Sequence, residues 1–193
     1  MTDRTLTTTF TLVRNAGACA DRYRHLARRL GGVRRYGAET PITLLQVLDH
    51  NGLDDALWAL RAVDPAQTAE RDRFARLLAC DYAQHVLPIW QAAYPDDTRP
   101  ADAIALARAS AEGATDENAL VAAGTAAAEA ARAAARAAGW VAAWAARAAA
   151  WAAGADAPWA AAWAARDAAR AARAAARADE IAWQETRFRQ LSE

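Results

Sequence analysis

The sequence predicts an all-α protein, and three observations carry that prediction. Residues 115–183 are almost entirely alanine, interrupted at intervals of three or four by Arg and Trp. Alanine has the highest helix propensity, and neither Arg nor Trp interrupts a helix. Upstream, apolar residues recur at helical spacing between Gly- and Pro-containing breaks, and nowhere is there a sustained β-branched run. The expected architecture is an N-terminal helical bundle over residues 1–113 packed on a long antiparallel Ala/Trp/Arg-rich hairpin over residues 114–193, read as one continuous fold.

Taken in order, residues 2–12 are Thr-rich, with Thr11 an expected N-cap for a helix over residues 13–30. Cys19, Tyr23, Leu26 and Leu30 share a face of that helix, and Gly31-Gly32 stops it. Thr40-Pro41 is expected to open the next helix, with Pro at its first position, and Asn51-Gly52 to end it. A short helix over residues 53–63 follows, its Asp54 and Asp55 well placed beside the positive end of the helix dipole. Residues 68–94 form the most amphipathic segment. Phe74, Leu77, Leu78, Tyr82, Val86, Ile89 and Trp90 recur along it, and Pro88 is expected to kink it. Arg99-Pro100 starts a helix ending near residue 111, and Thr115 or Asp116 caps the first arm of the hairpin.

Within the hairpin, Gly154 is placed to end one arm, Asp156 to cap the next and Pro158 to sit in its first turn. On a helical wheel Arg132, Arg136, Trp140, Trp144, Arg147 and Trp151 share one sector. Trp159, Trp163, Arg166, Asp167, Arg170, Arg173 and Arg177 do the same in the second arm. The arms mirror each other about position 155, which sets Trp151 against Trp159, Arg147 against Trp163, Trp144 against Arg166 and Trp140 against Arg170. The three mixed pairs predict cation–π contacts of about 0.5–2 kcal/mol each. Trp collects near the closed end, and Arg132, Arg136, Arg166, Arg170, Arg173 and Arg177 towards the open end. Gly124 and Gly139 lie inside the first arm, and either one is placed to split it.

The formal net charge is zero, which argues against a general polyanion binder. The charge is nonetheless segregated: residues 1–35 carry net +6, residues 36–124 net −8 and the remainder net +2. There is no lysine, and with so much alanine this reads as the imprint of GC-rich coding. Two cysteines, Cys19 and Cys80, fit reduced thiols in a cytoplasmic protein better than a disulfide framework. No apolar leader opens the chain, and Arg recurs too often along the alanine stretch for a membrane span.

No catalytic signature is present, and no metal or cofactor is expected. His85 follows Cys80 at i, i+5, poor spacing for two ligands on one helix face. The acid pairs Asp54-Asp55 and Asp96-Asp97 are explained by helix capping and solubility. Only the Arg/Trp stripe offers a sharp alternative to a purely structural role. Structurally, Trp140, Trp144, Arg147, Trp151, Trp159 and Trp163 fill the groove beside a close alanine interface. Functionally, the open-end arginines form a docking surface, because facing arginines repel unless something anionic lies between them.

Residues 77–113, and within them Ala79-Cys80-Asp81, Val86-Leu87-Pro88, Tyr94-Pro95-Asp96-Asp97 and Arg99-Pro100, followed by an alanine-rich helical tail, resemble an Imm-five-like family of bacterial immunity proteins. They are also similar to uncharacterised Ala/Trp-rich bacterial and phage proteins. Tyr82 stands where those relatives carry a second Cys. The resemblance implies a helical protein that neutralises a partner by binding it. The expected function is therefore a non-enzymatic interaction factor of immunity or inhibitor type, its partner a toxin or defence component. The alternatives are a phage-encoded anti-defence protein and a nucleic-acid or nucleoprotein binder using the Arg stripe. Two hairpins of this kind also have the makings of a homo-oligomeric four-helix bundle.

Overall fold

A computed structural model describes residues 5–114, 116–136, 140–154, 157–172 and 177–192, with the backbone alone at Trp140, Val141, Ala157, Pro158, Arg177 and Ala178. Among these residues the protein is all-α, with a single two-stranded ladder. The chain divides into two compact units, one of residues 1–71 with 188–193 and one of residues 72–187.

In the first unit, β1 (Thr7–Thr8) pairs antiparallel with β2 (Ile42–Thr43), Thr7 opposite Thr43. Ile42 and Thr8 are fully buried, and the Thr8 hydroxyl donates to the carbonyl of Ala62. Helix α1 (Phe10–Asn15) is capped by Thr9, whose hydroxyl accepts from the Leu12 N–H at 3.1 Å. The cap is therefore Thr9 and not Thr11, because Thr7 and Thr8 are drawn into the ladder. The single helix expected over residues 13–30 is two, α1 and α2 (Ala20–Arg29), separated at Gly17, whose φ of 82° only glycine adopts readily. A one-turn helix α3 (Val33–Tyr36) follows Gly32.

Helix α4 (Leu44–Asn51) begins after Thr43 and not at Pro41. Thr43 and Gln46 form a reciprocal capping box, with the Gln46 side chain accepting from the Thr43 N–H at 2.9 Å. Helix α5 (Leu53–Ala59) follows Gly52 and ends in a 3₁₀ turn. The core of this unit holds Phe10, edge-on to Tyr23 and Tyr36, with Leu26, Leu44, Leu48, Leu57 and Leu60.

Most of α6 (Thr68–Ala93) belongs to the second unit, and the helix continues through Pro88. It is followed by α7 (Arg99–Ala111), α8 (Glu117–Arg136), α9 (Trp140–Ala152), α10 (Ala157–Ala172) and α11 (Arg177–Ser192). The first arm of the expected hairpin is thus two helices. Helix α8 passes through Gly124 intact and ends at Arg136, and α9 folds back along it. A Cβ at Gly124 would come within 3.1 Å of the Ala153 Cβ, so the α8–α9 contact there is closer than an alanine would take without a shift. Thr115, Gly139 and Asp156 lie outside the described residues.

Helix α9 is the central element, with α7, α8 and α10 packed around it. This explains its composition. Ala142, Ala143, Ala145, Ala146, Ala148, Ala149 and Ala152 are buried and point in most directions around its axis, a burial pattern that larger side chains would prevent at such short separations. The C-terminus of α9 is closed by Arg76 of α6, which donates to the carbonyl of Gly154 at 3.0 Å.

Candidate functional site

The alanine background leaves few side chains to do chemistry on α9 and α10, and the fold gathers most of them. Trp151 stacks on Trp163 across the two helices at 5.6 Å between ring centroids, and Trp163 stacks in turn on Trp159 at 6.4 Å. Arg166 lies over the Trp163 ring at 5.2 Å. One turn further along α10 is Asp167, which is fully buried. Its carboxylate accepts from Trp151 Nε1 at 2.9 Å and pairs with Arg147 at 3.2 Å and Arg170 at 3.0 Å.

These contacts revise the expected register. The cross-helix neighbours are Trp151 with Trp163 and Arg147 with Asp167, a mirror about position 157 instead of 155. Arg147 therefore meets a carboxylate and not the Trp163 ring. The Trp163 ring is met instead by Arg166 from its own helix face, a local cation–π contact. A charge-assisted bond to a buried carboxylate outweighs a half-exposed ring contact, and that preference sets the register.

The open-end arginines are only partly brought together. Arg166 and Arg170 are exposed on α10, beside the Trp stack. Arg132 and Arg136 are exposed on α8, which runs back along α9 and does not extend it. Trp144 is half-buried on α9. Arg173 lies outside the described residues, as do the side chains of Trp140 and Arg177.

Asp167 is the organising residue that reading by composition passes over. The signal was present, since Asp167 is the lone acid between Trp159 and Arg177, inside an arginine stripe. Its role depends on a cross-helix partner, however, and only the register reveals that partner.

The residues of the Ala79–Pro100 pattern serve the framework. Cys80 is buried, its thiol near the Ile104 carbonyl and pushed up to about 12 by burial. Asp81 accepts from Arg108 of α7 and from Arg187 of α11, both at 2.7 Å, and so clamps three helices. Tyr82 is buried and donates its hydroxyl to the Gln184 carbonyl at 3.1 Å. In the loop before α7, Asp97 takes a two-pronged bond from Arg99, which holds its carboxyl below the usual carboxylate range. The Asp97 carbonyl accepts from Trp90 Nε1 at 2.8 Å.

Among the described residues no group of three or more His, Cys, Asp or Glu side chains is arranged to hold a metal ion. No helix there is long and apolar enough to cross a membrane.

What the fold and site define is an all-α protein that carries a Trp/Arg strip on the alanine-rich helices α9 and α10. Residues 67–191 match the family described as Imm-5 like putative immunity protein, and this chain belongs to that family. No curated protein and no solved structure matches it.

Proposed function

We propose that this protein acts as an immunity factor that neutralises a partner protein by binding it through the α9/α10 strip. The contact residues are Trp159, Trp163, Arg166 and Arg170, flanked by Arg147. The family supports an immunity-type role with a protein partner. The observation that carries the choice of surface is the order of these side chains before any partner arrives. Trp159 is 39% exposed yet stacked, and Arg147 and Arg170 are held at one end by the buried Asp167 carboxylate.

Trp and Arg are the residue types most enriched at binding hot spots. Holding them in place beforehand lowers the entropy lost on association. The strip offers cationic heads around an aromatic centre, so its complement is an acidic surface with an apolar or aromatic centre. Binding is stoichiometric and needs no catalysis.

The test uses the protein encoded beside this chain, expressed in a host whose growth it arrests. Co-expression of this chain should restore growth. Trp159→Ala combined with Arg166→Gln should abolish rescue while leaving the melting temperature within about 2 °C. Each hot-spot substitution should weaken binding roughly 30-fold, equivalent to about 2 kcal/mol. Rescue that survives the strip variants and is lost on neutralising Arg132 and Arg136 to Gln would move the surface to α8. An electrophoretic shift of nucleic acid at low salt that falls steeply with added salt would replace the protein partner altogether.

A further inference from the structure

The family match begins at residue 67 and leaves residues 1–66 outside it. Within that N-terminal stretch, α1, α2, α4 and α5 converge on a cavity of about 90 Å³. Every residue that lines it falls between Val13 and Ala59, inside the continuously described stretch 5–114. The strand before α1 pairs with residues beyond Ala59, the last of the cavity walls. Thr8 donates to Ala62, Thr7 accepts from the Asp64 N–H, and Thr5 accepts from the Gln67 amide.

Val13, Leu26 and Val47 supply aliphatic walls, and Tyr23 and Trp58 supply two aromatic ones. Both rings are fixed by other contacts: Tyr23 lies edge-on to Phe10 at 5.6 Å, and Trp58 lies under Arg61 at 5.4 Å. Ala18, at the junction of α1 and α2, and Ala59 present only methyl groups, which leaves the space between the larger walls. The polar side is one ion pair. Arg22 Nε donates to Asp55 Oδ2 at 2.8 Å, and Asn51 Nδ2 donates to the same oxygen at 2.7 Å. Arg22 Nη2 donates to the Asn51 carbonyl at 2.7 Å. Asp55 Oδ1 and Arg22 Nη1 have no hydrogen-bond partner among the described residues, so this neutral pair keeps one acceptor and one donor.

We infer that this cavity binds a small neutral hydroxyarene, a phenol-type molecule. Apolar cavities of roughly 150 Å³ take up benzene, so this smaller one, with exposed Cys19 and Arg22 on its wall, holds a single ring and no more. The ring packs offset or edge-on against Tyr23 and Trp58. The hydroxyl lies at the ion pair, donating to Asp55 and accepting from Arg22. A hydroxyl is donor and acceptor at once and meets both halves, whereas an anion is repelled by Asp55 and a cation by Arg22. The walls and the ion pair are ordered by contacts within the fold, which lowers the cost of binding.

Cys19 lines the same cavity and is the exposed cysteine of the two, so its reaction with a colorimetric disulfide reagent reports occupancy. The full chain is titrated with phenol at neutral pH. Cys19 modification should slow saturably, and the Trp58 indole N–H should shift in NMR with the same midpoint. Toluene matches phenol in size without the hydroxyl, and cyclohexanol keeps the hydroxyl without the aromatic ring. Each should bind at least fivefold more weakly than phenol. Ala18→Leu fills the cavity without touching a polar group and should abolish both signals while circular dichroism stays unchanged. Should Ala18→Leu unfold the chain, Asp55→Asn decides, with an expected loss of about fivefold in phenol affinity. Absence of saturation overturns the inference, as does toluene binding as well as phenol, protection that survives in folded Ala18→Leu, or an unchanged affinity in Asp55→Asn.

Discussion

Replacing Asp167 separates what its charge contributes from what its hydrogen-bond acceptor contributes. Asp167→Asn keeps an oxygen for Trp151 Nε1 and removes the negative charge that Arg147 and Arg170 share. Charge-assisted bonds contribute about 1.5–3 kcal/mol when shielded from water. Both arginine side chains are nearly half exposed, which reduces each contribution to roughly 0.5–1 kcal/mol. Neutralising Asp167 also relieves the cost of burying its charge, so the net loss for Asn is about 1 kcal/mol.

Asp167→Ala additionally strands the Trp151 N–H, a further cost of about 1–3 kcal/mol, and leaves two arginines facing each other. The sum is about 2–4 kcal/mol, read as a shift in urea midpoint at unchanged m-value. Part of the Ala deficit is repulsion between half-exposed cations and should shrink as salt is added. In the Asp167→Ala background, Arg147→Ala should cost nothing further. The reasoning is refuted if Asn costs as much as Ala, or if Ala costs under about 0.5 kcal/mol.

Four further expectations concern single side chains. Glu180 binds its proton more tightly in the folded state than in the unfolded chain. Its contribution to stability should therefore fall as pH rises from the unfolded carboxyl range through its raised folded value, and Glu180→Gln should flatten that slope in urea melts across pH. Asp97 behaves in the opposite sense. Arg99 lowers its carboxyl, so its stabilisation is present above the ordinary carboxyl range and lost as pH falls through the lowered value, which Arg99→Ala should remove from an acid melt. Pro88 is exposed inside α6 and cannot donate to the carbonyl one turn before it; Pro88→Ala should raise stability by about 1–3 kcal/mol in thermal or urea melts. For the thiols, a colorimetric disulfide reagent at neutral pH should titrate Cys19 in the folded protein, and Cys80 only after denaturation.

Much of the fold was legible because it rests on local signals. The alanine helices, the Gly154 stop, the short helix after Gly52 and the Arg99-Pro100 start all follow from propensity and capping within a few residues. The misread points depend on distant partners. Thr43 caps α4 because Ile42 and Thr43 pair with Thr7 and Thr8, some thirty-five residues away, and that ladder holds the chain extended past Pro41. Gly17 divides α1 from α2 within a stretch whose apolar spacing suits a single helix. The family resemblance carried by residues 77–113 led to the family, since its pattern residues form the clamps at Asp81 and Asp97.

The candidate surfaces divide the same way. Sequence alone determined that Trp and Arg line one sector of each alanine helix, because a period of 3.6 residues and an alanine background leave those side chains no other arrangement. Tertiary structure decided which of them meet. Alanine presents no shape that distinguishes one register from its neighbour. The choice between Arg147 on Trp163 and Arg147 on Asp167 therefore fell to the stronger polar contact. The same holds for His85, which lies nearly a hundred residues from Glu180 and Trp183 along the chain and meets them only when α11 packs on α6.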